Sequence, residues 1–286
     1  MRLICHQDRA ALVRGDRLYY ADEATSGRLS GDPSALLAAG RWSEVAALHD
    51  VADLGDGEPL PASGLQAPTP RPGTIFGIGV NYAAHAKTAN ISAGTFPTVF
   101  IKLPSAVIGP TDDVVIPAGG LQVDWESELA FVISRPGRNI AAAAALDHVA
   151  GVMVAQDITE RDVQFNAGGG QFTLGKGYDT FCPLGPALVT LDELPPLSEL
   201  RIKATLNGEL VQDGSVGDMI SDVSAIVAML STVTTLRAGD VVLTGTPAGT
   251  GFTREPARFL ADGDRLVTEI AEVGTLVNSI AAEPGT

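Results

Sequence analysis

Thiol and imidazole side chains are few in this 286-residue chain: two cysteines and four histidines. Cys5 and Cys182 lie far apart, which leaves two reduced, packed thiols rather than a disulfide framework. His6, His49, His85 and His148 form no HxH or HxxxH pair, so the familiar zinc patterns are missing. Cations are scarce: 19 Lys and Arg face 34 Asp and Glu, a net charge of −15. That balance argues against nucleic acid or an anionic membrane as partner, since both need clustered cations. It leaves room for a small anionic substrate, because a metal and a few local cations can dominate one pocket. No apolar run of about 18 residues is present to span a bilayer. Asp8, Arg9 and Arg14 interrupt the stretch where a signal peptide would need an apolar core, so a soluble cytoplasmic protein is expected. Apolar residues are plentiful at 45%, enough for a large core.

The first fifty residues predict a small α+β module. Its short strands fall at 2–7, 10–14 and 17–21, and a helix opened by Asp32-Pro33-Ser34 runs to Ala46. Prolines and glycines then crowd residues 51–73, the pattern of a linker. The expected division is therefore 1–70, a small N-terminal domain with its linker, and 71–286, a larger catalytic domain. In the larger part many strands alternate with few long helices, which predicts a mainly β core with some helix. An alanine-rich helix is expected at 140–149, and a loose loop after residue 89, with Asn90, Ser92 and Gly94, is a candidate lid.

Most of the chemistry gathers in three stretches. A strand running from Val123 to Ile133 would put Asp124, Glu126 and Glu128 on one face, because successive side chains alternate. Its apolar continuation implies burial, and buried carboxylates need a cation or hydrogen bonds. These acids suggest a hard divalent cation bound through oxygen; the alternative is a solvated acidic edge. A second apolar strand delivers Asp157, after which Thr159 could cap a short helix carrying Arg161 and Gln164 on one side. There Asp157 would complete a metal shell and Arg161 and Gln164 would hold substrate oxygens, or the run is a capped surface turn. Lys176 sits between Gly175 and Gly177, where backbone can approach a ligand closely. The glycine-rich turn Gly245–Gly251 could cradle an anion but lacks the GK[ST] of a nucleotide loop.

Taken together and in order, several motifs resemble the fumarylacetoacetate hydrolase family. They are Gly79-Val80-Asn81-Tyr82-Ala83-Ala84-His85, Phe100-Ile101-Lys102-Leu103-Pro104-Ser105, Asp124-Trp125-Glu126-Ser127-Glu128-Leu129 and the run from Gln156 to Gln164. Gly175-Lys176-Gly177-Tyr178-Asp179-Thr180, Leu184-Gly185-Pro186, Asn207-Gly208-Glu209 and Leu243-Thr244-Gly245-Thr246-Pro247-Ala248-Gly249 complete the set. The likeness covers roughly residues 70–280. It implies a mixed β-sandwich roll preceded by a small N-terminal domain, and a homodimer. It implies Mg²⁺ or Mn²⁺ held by Glu126, Glu128 and Asp157, with Glu126 also counted among the catalytic groups. It implies substrate contacts from Tyr82, Arg161, Gln164, Lys176 and Thr246, activation of water by His85 with the help of an acid, and the offsetting of developing negative charge by Lys176.

The reaction that this resemblance implies first is metal-dependent hydrolysis of a C–C bond. The substrate would be a small 2-oxo acid of the acylpyruvate type, such as fumarylpyruvate or fumarylacetoacetate, cleaved through a metal-stabilised enolate. The alternatives are an isomerase or decarboxylase of a related 2-oxo or 2-hydroxydienoic acid in aromatic catabolism, a sugar-acid dehydratase, or an idle binder of metal and carboxylate. One departure matters: hydrolytic and decarboxylating members commonly carry Glu three residues after the lid histidine, and here that residue is Thr88. Threonine cannot hold the negative charge that supports an imidazolium.

Overall fold

The computed structural model describes residues 1–52, 54–89, 97–120, 122–168 and 170–284. Its centre is a pair of strands, Ser127–Ile133 and Val149–Gln156, paired antiparallel and buried at every residue. Burial on both faces explains why each reads as a continuous apolar run rather than an alternating one. Val241–Leu243 pairs with the first of these, and Ile75–Gly79 then runs parallel to Val241–Leu243. Thr98–Lys102 closes that edge. On the other side Cys182–Val189 pairs with Val149–Gln156 and leads to the N-terminal hairpin strands Arg2–His6, Arg9–Arg14 and Arg17–Tyr20.

A second sheet of five strands runs Glu209–Ser215, Arg201–Leu206, Arg265–Ile270, Gly274–Ala282 and Val114–Ile116. Leu129, Phe131, Val152 and Val154 of the large sheet share one buried cluster with Ile202, Ile270 and Leu276 of the small one. The architecture is thus a mixed β-sandwich with minor helix, the fold class expected. Among the described residues no helix is long and apolar enough to cross a membrane.

Four strand ends meet at one place. Ser127–Ile133 begins there just after Glu126, Val149–Gln156 ends there just before Asp157, and the parallel pair delivers Gly79-Val80 and Gly245-Thr246. Asn81 ties these loops together, donating to the carbonyls of Ser221 and Thr244 and accepting from the Ser221 amide.

Several local expectations need correction. The helix expected from Asp32 to Ala46 is two, Pro33–Ala38 and Trp42–Ala47, broken where Gly40 takes a left-handed φ of 66°. The alanine-rich segment forms a 3₁₀ turn, Ala142–His148, rather than an α-helix. The acidic strand is interrupted at Trp125 and Glu126, splitting into Val123–Asp124 and Ser127–Ile133. Thr159 lies in the short strand Thr159–Glu160, and it is the Glu160 side chain that caps the following helix. The candidate lid at 90–96 lies outside the described residues.

Candidate active site

Glu126, Glu128 and Asp157 converge, although the strand between the first two is not regular. Each is buried, and the three offer oxygen atoms that all lie within 4.8 Å of one another. Glu126 is fixed from behind: its backbone N–H donates to Gln156 Oε1 at 2.9 Å. Its carboxylate oxygens meet Arg161 Nη1 at 2.6 Å and Lys176 Nζ at 2.9 Å. Asp157 meets Lys176 Nζ through Oδ2 and Lys102 Nζ through Oδ1, both at 2.7 Å. Glu128 accepts the Gly245 N–H at 2.7 Å and has no cation against it among the described residues.

The charges follow from these contacts. Burial pushes Glu126 up, but Lys176 and Arg161 outweigh it and hold its carboxyl at about 2. Burial, then Asp157 and Glu126, push Glu128 well above the usual carboxylate range. Burial alone would lower Lys176 and Arg161, but their acidic partners keep both raised. His85 is lowered, chiefly by burial, so it is neutral at pH 7.

This donor set fits a hard divalent cation. All three ligands are carboxylates, the choice of Mg²⁺, Mn²⁺ or Ca²⁺ rather than a softer metal. Glu128, with no cation against it among the described residues, would exchange its proton for a divalent cation. Asp157 Oδ1, although close to Lys102, has no aligned hydrogen-bond donor and keeps a lone pair free. Asp124, which shares the acidic stretch, is instead bound to Arg161, which meets it with Nε at 2.9 Å and Nη2 at 2.8 Å.

The other expected residues fall around this centre. A pocket beside it is lined by His85, Glu126, Arg161, Gln164, Lys176 and Thr246, among others. Arg161 Nη1 also donates to Gln164 Oε1 at 2.9 Å, as their spacing on one helix face predicts. The glycines around Lys176 have a physical cause. A Cβ on Gly175 would sit 2.9 Å from the Gln164 amide nitrogen, and one on Gly177 would sit 2.5 Å from the Thr173 carbonyl. Thr246 bridges Ser127 O and Gln212 Nε2, each at 2.8 Å. Among the described residues the buried Tyr82 hydroxyl has no partner, and Tyr82 is not one of those that line the pocket. His85 Nδ1 is likewise buried with no partner among them, and the Thr88 hydroxyl is turned to the backbone carbonyls of Ala84 and His85.

Some contributors carry little sequence signal. Lys102 ends an apolar strand, yet it is fully buried and donates to the carbonyls of Ile158 and Lys176 as well as meeting Asp157. Gln156 and Gln212 buttress Glu126 and Thr246 from within the sandwich. Val80, in the pocket wall, has a φ of 60°, a strained conformation for a β-branched residue. Phe100, Phe165, Phe172 and Phe252 also line the pocket.

Known proteins share this frame. The human oxaloacetate tautomerase FAHD2A, mitochondrial, is 44% identical over 214 residues, covering 75% of this chain and 68% of its own. A Dictyostelium discoideum fumarylacetoacetate hydrolase domain-containing protein 2 homolog is 38% identical over 250 residues, 84% of this chain and 81% of its own. Among solved structures, the fumarylacetoacetate hydrolase of Exiguobacterium antarcticum superposes with a TM-score of 0.85 at 34% identity, covering 99% of both chains. A maleylpyruvate hydrolase from Sphingobium sp. SYK-6, in complex with manganese(II) and pyruvate, does so with a TM-score of 0.79 at 32% identity, covering 99% of this chain and all of its own. The model of the fumarylacetoacetate (FAA) hydrolase C-terminal family matches residues 74–281, and with the buried carboxylate trio at the meeting of four strands the chain belongs to that family.

Proposed function

We propose that this protein is an enzyme that interconverts the keto and enol forms, or double-bond isomers, of a small 2-oxo acid, with Mg²⁺ or Mn²⁺ bound by Glu126, Glu128 and Asp157. The observation that carries the choice of reaction is that no carboxylate is hydrogen-bonded to His85 among the described residues. Its Nδ1 lacks a partner there, Thr88 is turned to the backbone, and the acid that acts on the ring, Glu126, is itself held by Lys176 and Arg161. A histidine without a carboxylate is a weak activator of water but is adequate to carry a proton to and from carbon. The oxaloacetate tautomerases among the relatives support the same choice.

A bound divalent ion would supply Lewis-acid polarisation of the 2-oxo group, which makes the neighbouring carbon acidic. Neutral His85 takes that carbon's proton and returns it. Lys176 and Arg161, held in place by Glu126, stabilise the negative charge that develops on substrate oxygens. Gln164 and Thr246 orient the acid at the pocket floor. A homodimer formed through exposed sheet edges belongs to the same proposal and is read by light scattering.

C–C hydrolysis is the second reading, favoured by the manganese- and pyruvate-bound maleylpyruvate hydrolase that shares the fold. The two separate in one assay. Mg²⁺-loaded protein is mixed with oxaloacetate or benzoylpyruvate, and the enol absorbance and the products by mass are followed, each with an EDTA control. EDTA-sensitive loss of enol with the carbon skeleton intact supports the isomerase. Release of pyruvate with benzoate sinks it.

A further inference from the structure

The proposed 2-oxo acid reaction leaves open what stands at the far end of the substrate, and the pocket wall bears on it. Four of the chain's nine phenylalanines, Phe100, Phe165, Phe172 and Phe252, line this one pocket. The rings touch in pairs, Phe100 with Phe172 at 5.8 Å and Phe165 with Phe252 at 5.6 Å between centroids. Phe165 is 39% exposed although it packs on Phe252, which leaves one of its faces open beside the pocket. The cavity beside the rings is small, about 30 Å³.

The cations that line the pocket are already engaged. Arg161 serves Asp124 and Glu126, and Lys176 serves Glu126 and Asp157. Their outward sides are covered by aromatic faces, Phe252 at 4.2 Å from Arg161 and Phe100 at 5.0 Å from Lys176. One substrate carboxylate can be met here, by a metal held at Glu126, Glu128 and Asp157. A second meets no further cation among the described residues that line the pocket, where Arg161 and Lys176 are the basic side chains. Arg254, just beyond Phe252, pairs with Glu209.

We infer that the phenylalanine wall selects a 2-oxo monocarboxylic acid with an apolar, aryl or alkyl, distal group over a dicarboxylic acid of similar length. This rests on the 2-oxo acid reading of the site. Seating an unpaired carboxylate against four rings costs its desolvation, whereas an aryl group gains by burial.

The test compares benzoylpyruvate with fumarylpyruvate, which share the 2,4-dioxo acid head and differ at the tail. Calorimetric binding to Mg²⁺-loaded protein is the primary readout, and enol turnover the second. Wild type should favour benzoylpyruvate by about tenfold or more in both. Phe165→Arg, at a part-exposed helix position, should narrow or reverse the ratio by giving a distal carboxylate a partner. Equal or tighter binding of fumarylpyruvate by wild type overturns the inference, as does an unchanged ratio in Phe165→Arg. Binding of both acids without enolisation would overturn the proposed reaction alone, and the ratio would still judge the wall. Binding of neither acid would overturn both.

Discussion

Glu128 has a burden that its two neighbours do not. Glu126 and Asp157 are matched by lysine and arginine, but Glu128 has no cation bonded to it among the described residues and accepts an amide N–H beside two like charges. In metal-free protein it is therefore a source of instability, and in the proposed site it is a metal ligand. Glu128→Gln should raise the stability of the metal-free protein by about 1–3 kcal/mol. It should weaken Mg²⁺ or Mn²⁺ binding about a hundredfold or more. Calorimetry gives both; a destabilised variant with unchanged metal affinity would refute the assignment. Thr88 tests the reaction from the other side. It is exposed and one turn from His85, so Thr88→Glu sets a carboxylate within reach of the ring. Pyruvate release from benzoylpyruvate should then rise about ten- to a hundredfold. No gain would mean that the missing carboxylate is not what limits hydrolysis. At this scale the sequence was informative where chemistry is costly: three acids beside apolar runs, and a lysine between glycines. It was silent on Lys102 and Gln156, because a single polar residue at a strand end looks the same whether it faces solvent or the interior.

Elements were legible in proportion to their regularity. The Asn207-Gly208 turn stands where the sequence puts it, with φ of 52° and 85°, both left-handed as such a hairpin requires. The apolar runs up to Ile133 and over 151–156 were plain as buried strands, although the second starts earlier, at Val149, where the sequence predicts the end of a helix. The acidic strand misled, because a strict alternation cannot foresee the break at Trp125 and Glu126. That break frees Asp124 for Arg161 while Glu126 and Glu128 still reach the same centre. The helix at 142–148 misled for a different reason: alanine favours a helix but does not choose between α and 3₁₀. The Phe172–Gly175 turn sets the height of Lys176 and allows a test at this scale. In Gly177→Ala the new methyl would collide with the Thr173 carbonyl, 2.5 Å away, and with Leu103. Turnover should fall about tenfold or more, as expected when a reacting group is displaced, with a stability loss of about 1–3 kcal/mol. Wild-type turnover would show that the position of Lys176 is not critical.

At the scale of the whole molecule, composition divides 1–70 from 71–286, while the sheet runs across that line. Arg2–His6 pairs with Cys182–Val189, and Leu3 and Leu12 share a buried cluster with Val114 and Leu184. The division is thus proposed as one of sequence, with the two parts folding together. The fragment 71–286 should melt at least about 10 °C below the full chain, with loss of cooperativity. Equal melting temperatures would make the N-terminal part an independent module. What no pattern in the chain announced is the joint placement of four strand ends, since such meetings depend on pairings between residues far apart in sequence. The proposed reaction is decided at the carbon next to the 2-oxo group. The most direct measurement is proton NMR of benzoylpyruvate in D₂O with Mg²⁺-loaded protein. The predicted result is accelerated, EDTA-sensitive deuterium entry at C3 with every carbon–carbon bond kept. Benzoate and pyruvate appearing as fast as deuterium enters would contradict it and make the protein a hydrolase.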